Sequence, residues 1–181
     1  MHTPNRLAPH GRFRQSLAFE LLRLHLGEVK KDVVAVQIRG LLPAQGGCAL
    51  FVGNDEKVFV IQVEQSMGEI IGKALRGVHH ERPLTHELIS RIFSGFGIEV
   101  DRVVITEIRN QTYFARLFLR QQNDLGANVV EIDARPSDCL ALAVMQKRPI
   151  FVRTRLFDEV EDMSEALSQI GGEGGEDIEP A

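Results

Sequence analysis

Between Asp32 and Arg39 apolar and polar side chains alternate, with Val34, Val36 and Ile38 on one side and Ala35, Gln37 and Arg39 on the other. A period of two predicts a strand. Cys48–Val52 and Val58–Val63 form a second apolar pair, and Gly53-Asn54-Asp55 between them tolerates turn conformations, so a hairpin is expected. The pattern then lengthens. Ser66-Met67-Gly68-Glu69 reads as a capping box opening a helix through Ile70, Ile71, Ala74 and Leu75, stopped at Gly77. After Pro83, a second helix carries Leu84, Leu88, Ile89, Ile92, Phe93 and Phe96 as one stripe and ends at Gly95 and Gly97. Val100–Ile108 and Thr112–Leu119 are strands joined by Asn110-Gln111, and Val129–Asp133 is a shorter one. Pro136 suits the first position of a helix whose Leu140–Met145 run is apolar all round, and is therefore expected to be buried. Ile150–Arg153 closes as a strand, and Met163–Ile170 forms a last helix.

Hairpins grouped apart from helices predict an α+β fold, with mixed or antiparallel sheets and three to four packed helices in a single domain. Residues 1–29 read as a loose arm plus a short amphipathic helix with Leu17, Leu21, Leu22 and Leu24. Residues 30–160 form the domain, and residues 161–181 a short helix and a disordered acidic tail.

Charge changes this picture in one respect. The formal net charge of −4 is spread unevenly. Residues 158–181 hold nine acids and no base, whereas residues 32–157 hold 15 bases, 12 of them arginine, against 14 acids. The acidity thus belongs to the tail, and the body remains compatible with an anionic ligand. Cys48 and Cys139 form no CxxC pattern, and the amino terminus shows no signal-peptide pattern, so free thiols and a cytoplasmic protein are expected. The longest apolar runs are too short to cross a bilayer, so no membrane association is expected.

Candidate chemistry gathers in Glu131-Ile132-Asp133-Ala134-Arg135-Pro136-Ser137-Asp138. In a strand Glu131, Asp133 and Arg135 share a face while Val130 and Ile132 point into the core. The two carboxylates stand about 6.6 Å apart at their α-carbons, close enough to approach one hard cation. The helix start just beyond presents unpaired amides to an anion, and Asp138 lies in its first turn. Carboxylates, an arginine and an anion-binding helix end are parts of a phosphodiester-cleaving site. The structural alternative is that Asp133 and Asp138 cap the helix and Arg135 ties the turn.

A second cluster, His79-His80-Glu81-Arg82-Pro83-Leu84-Thr85-His86-Glu87, lacks the His-Glu-x-x-His spacing of a zinc site. Thr85 is expected as N-cap and Glu87 in the first turn, and His86, on the polar side of the helix, is a candidate acid or base. On the strand Tyr113–Arg120, Phe114, Arg116, Phe118 and Arg120 share a face that suits base stacking and phosphate contact, or packing on another layer or subunit. No serine or cysteine elbow, phosphate-binding loop or dinucleotide fingerprint occurs.

Two strings carry a resemblance. Arg82-Pro83-Leu84-Thr85-His86-Glu87-Leu88 resembles the RPLTH-acid-L signature of the bifunctional nuclease domain family, and Asp133-Ala134-Arg135-Pro136-Ser137-Asp138-Cys139-Leu140-Ala141-Leu142-Ala143 its DARPSDA-x-ALA signature. With Arg148-Pro149-Ile150-Phe151-Val152 the similarity spans about residues 30 to 160. Where the family has an LPI-x-IG strand followed by Glu-Ala, this chain has Phe59–Glu64 followed by Met67-Gly68. The resemblance implies a small α+β domain, a homodimer, and cleavage of both RNA and DNA. It implies a site made of Thr85, His86, Glu87, Asp133, Arg135, Ser137 and Asp138.

Together these readings lead to the expectation of a nuclease assisted by a divalent cation, Mg²⁺ or Mn²⁺. Asp133, Asp138 and Glu131 would hold the ion, His86 would act as acid or base, and Arg135 would steady the phosphate. Glu87 joins the catalytic set, and Thr85, Ser137, Arg116 and Arg120 would bind substrate. The alternative is a non-catalytic homodimeric binding or regulatory module.

Overall fold

The structure, a computed structural model, describes residues 32–78, 80–123 and 126–171. The expected arm, its helix and the acidic tail lie outside the described residues, as does His79. Three strands come first: β1 (Val33–Ala44), β2 (Gly47–Gly53) and β3 (Val58–Val63). The helices α1 (Gln65–Leu75) and α2 (Thr85–Gly95) follow, then β4 (Ile98–Arg109), β5 (Thr112–Asn123) and β6 (Gly126–Ala134). The chain continues through α3 (Pro136–Met145), β7 (Ile150–Arg153), α4 (Thr154–Glu159) and α5 (Ser164–Gly171). The α+β expectation holds, with α4 as an additional short helix that buries Leu156 and Phe157.

The seven strands form one mixed sheet in the order β3-β2-β1-β7-β4-β5-β6. All pairings are antiparallel except β4 with β7. β1 outlasts its predicted end because a register shift between Ile38 and Gly40 lets one strand pair β7 with its first half and β2 with its second. The sheet curls enough for Phe59 of β3 to meet Tyr113 of β5 at 5.8 Å between ring centroids, with Phe157 of α4 edge-on at 6.3 Å. At the β4–β5 turn Asn110 and Gln111 both adopt positive φ (48° and 63°), which matches the twist of a two-residue hairpin.

Helices cover one face. Cys139–Ala143 of α3 are all buried, so the apolar helix sits inside as its composition requires. Gly68 lets α1 approach β2 closely, since a Cβ there would fall 2.4 Å from Cys48 Sγ. Four local expectations are corrected. The N-cap of α1 is Glu64, not Ser66, because β3 runs almost directly into the helix and leaves no room for a separate capping box. The N-cap of α2 is Leu84 and Thr85 is its first helical residue. Nor is the apolar set of α2 one stripe: Ile89 and Phe93 pack on the core, whereas Leu84, Leu88, Ile92 and Phe96 are exposed. The inward face also takes His86, which is buried instead of lying on the polar side. No helix among the described residues is long and apolar enough to cross a membrane.

Candidate functional site

The strand-to-helix corner after β6 is built from two faces of the sheet. Ile132 and Val130 pair with Leu117 and Leu119, whose side chains enter the core, so they belong to the helix-covered face. They are nonetheless 39% and 46% exposed, because β6 is the edge strand and the core does not close over it. Glu131 and Asp133 therefore project from the opposite face and share Arg116 of β5. Its Nη1 donates to Asp133 Oδ1 at 2.7 Å, and its Nε stands 3.4 Å from Glu131 Oε1. All three side chains are open to solvent.

Arg135 leaves that face. As the N-cap of α3 it has extended backbone angles, and its Nε donates to Asp138 Oδ2 at 2.8 Å while Nη1 lies 3.7 Å from Glu64. Pro136 at the first helical position has no N–H, and no side chain caps the first-turn amides that follow. Asp138 faces inward from this turn and accepts a second bond, from His86 Nε2 at 2.9 Å. Burial alone would raise the Asp138 carboxyl, but the bonds from Arg135 and His86 outweigh it and hold it below its ordinary value. An ionised Asp138 must accept, so Nε2 of His86 carries the proton. The other ring nitrogen is buried without a hydrogen-bond partner among the described residues.

Glu87 turns away from this corner. Its carboxylate accepts from the Leu84 amide at 2.8 Å and from the His80 amide at 3.3 Å. The Leu84 bond, against the opposing effect of burial, keeps its pKa low. Arg120 is distant in role as well. It binds Glu99, which Arg148 also contacts, and Arg120 chiefly lowers the Glu99 pKa. Phe118 stacks under Arg102, 4.0 Å from ring centroid to guanidinium carbon, so the arginine–phenylalanine face is in part internally paired.

The corner and its neighbour therefore join residues 52 positions apart, His86 and Asp138, one from each of the two strings that resemble a family. The sequence model of the bifunctional nuclease domain matches residues 49–165, a range that includes both strings. The chain belongs to the bifunctional nuclease domain family. Bifunctional nuclease 2 of Oryza sativa subsp. japonica is 32% identical over 103 residues, covering 57% of this chain and 31% of that protein. Bifunctional nuclease 1 of Arabidopsis thaliana is 34% identical over 83 residues, or 46% of this chain and 25% of that protein. An uncharacterized protein of Mycobacterium tuberculosis is 30% identical over 99 residues, 55% of this chain and 56% of its own. The matches thus span about half of the mycobacterial relative and a quarter to a third of the plant ones.

In this bifunctional nuclease domain the structure brings His86, Arg135 and Asp138 together, and separately Arg116, Glu131 and Asp133. It does not fit a preformed cation site. Asp138 is filled by His86 and Arg135, Asp133 is bonded to Arg116, and no group of three His, Cys, Asp or Glu side chains among the described residues is arranged to hold a metal. Sequence reasoning missed a cleft of about 860 Å³ at the far end of α3, lined from α1, α2, α3, β4 and β5. Its signal was present only in scattered cations, Lys73, Arg91 and Lys147, which no short motif links.

Proposed function

We propose that the protein hydrolyses phosphodiester bonds of RNA and DNA at the corner where β6 passes into α3. The observation that supports this most is the exposed pairing of Arg116 with Asp133 beside the uncapped start of α3 and Arg135. A substrate strand laid over this corner meets the Arg116 guanidinium on one side and Arg135, with the first-turn amides of Ser137 and Asp138, on the other. Asp133, an exposed carboxylate, takes the proton of the attacking water as the new P–O bond forms. Arg116 and Arg135 balance the charge on the phosphoryl group and on the departing oxygen, which solvent protonates. Thr85 and Ser137 supply hydroxyls at the adjoining helix starts.

His86 has a positioning role in this reading. Its Nε2 is committed to Asp138 and its ring is almost fully buried, so it locks the starts of α2 and α3 together. No step is routed through a metal, since the carboxylates among the described residues form no cation site; Mg²⁺ or Mn²⁺ enters only as counter-ion of the substrate phosphates. The buried, unpaired thiols Cys48 and Cys139 suit a reducing compartment such as the cytoplasm. The test is a cleavage assay on single-stranded RNA and DNA with Mg²⁺, with Mn²⁺ and with EDTA. Cleavage of both polymers is expected, and failure to cut either in any condition contradicts the reading.

A second reading, a non-catalytic homodimeric module, is favoured by one observation. Leu84, Leu88, Ile92 and Phe96 lie four residues apart along α2 and are 40%, 49%, 47% and 70% exposed. Such a stripe suits a second copy of this chain.

A further inference from the structure

We infer that the cleft at the carboxyl ends of α1, α2 and α3 binds a nucleotide unit, a site separate from the cleavage corner. It lies one length of α3, about 15 Å, from that corner. The choice of a nucleotide among anions with an apolar body rests on the nuclease reading; the site itself rests on the cleft. Its volume, about 860 Å³, lies in the range of small-ligand sites. Ile70, Ala74, Val78, Val144 and Met145 give it an apolar wall that suits a base.

The rim is cationic. Five lysines and arginines line the cleft against two carboxylates. Glu99 is already taken by Arg120 and Arg148, and Glu87 by the Leu84 and His80 amides. That leaves Lys73, Arg91 and Lys147 with no ion pair to a carboxylate among the described residues, Lys73 resting 3.2 Å from His80 Nε2. Three helix ends oppose an anion here, each carrying about half a negative charge. They reduce a formal excess of three positive charges to about one and a half, which still favours a monophosphate over a neutral ligand.

Lys147 adds an independent indication. All three helices end with a left-handed residue at the cleft, and two use glycine: Gly77 at φ 66° and Gly97 at φ 65°. The third uses Lys147 at φ 50°, where its amide and that of Arg148 close the helix on Val144 and Ala143. A lysine there accepts a backbone cost that glycine would avoid, and it sets a cation on the cleft rim.

The test uses the full chain in EDTA, titrated with adenosine 5′-monophosphate by calorimetry and with fluorescein-labelled oligothymidylate by anisotropy. Lys147→Gly with Arg91→Gln is expected to melt no lower than the wild type and to weaken binding at least about tenfold, the worth of one charge-assisted contact. Arg135→Ala, at the other end of α3, is expected to leave mononucleotide binding intact. Binding of the mononucleotide identifies free nucleotide as the ligand. Binding of the oligonucleotide alone identifies a strand, with a salt slope lower by about 0.7 for each contact removed. No binding of either probe, equal binding by the double variant, or loss only in Arg135→Ala overturns the inference. Because cleavage is not the readout, a failed nuclease assay leaves this result separate.

Discussion

The bond from His86 to Asp138 has thermodynamic consequences at the scale of single residues. Asp138→Ala leaves a buried imidazole N–H without its acceptor and is expected to cost about 1–3 kcal/mol, measured by urea denaturation. The pH dependence has a definite sign. The folded Asp138 pKa lies below the ordinary 3.8, so its contribution is complete above that value and is lost as the pH falls through the folded value. Wild-type stability is therefore expected to fall more steeply than that of Asp138→Asn as the pH is lowered below about 4. Equal slopes would contradict the pairing. Lys147→Gly is expected to raise stability by about 1 kcal/mol, because glycine adopts the left-handed helix end without strain. Little of this was legible from sequence. Asp138 was visible as an acid near a helix start, but its partner lies 52 residues away, and no local spacing encodes that meeting.

At the scale of elements, periodicity located the helices better than it oriented them. Its reading of α3 as buried was right because an all-round apolar helix has nowhere else to go. For α2 it assigned six apolar residues to one face, and only Ile89 and Phe93 reach the core. The residual stripe was not interpretable, since sequence does not show how far the helical layer extends beyond β5. The same reason explains Val130 and Ile132, read as core and found half exposed on an edge strand. Leu140→Ala, in the fully buried centre of α3, is expected to cost about 2–5 kcal/mol, whereas Leu88→Lys should change the stability of the dissociated monomer by about 0.5 kcal/mol or less. Thermal melts of the two variants check both values.

At the scale of the molecule, local hairpins were readable from their turns, but the parallel contact of β4 with β7 and the long bridging course of β1 were not. Long-range register depends on which apolar faces meet, and several arrangements satisfy the same alternation. The cleft escaped notice for a similar reason, being lined by residues from Ile70 to Arg148. The exposed stripe of α2 bears on assembly. Sedimentation of the wild-type chain is expected to show dimers, and Leu88→Lys with Ile92→Lys to convert them to folded monomers; a wild-type monomer would remove the dimer reading.

The central claim is that phosphodiester hydrolysis occurs where β6 passes into α3. Single-turnover cleavage of one RNA substrate by the wild-type chain, by Asp133→Asn and by Arg135→Ala, each confirmed folded, tests it most directly. Loss of at least about a hundredfold in both variants is the expected result, the usual effect of removing a base or a charge-stabilising group. Wild-type rates in the two variants would place the chemistry elsewhere.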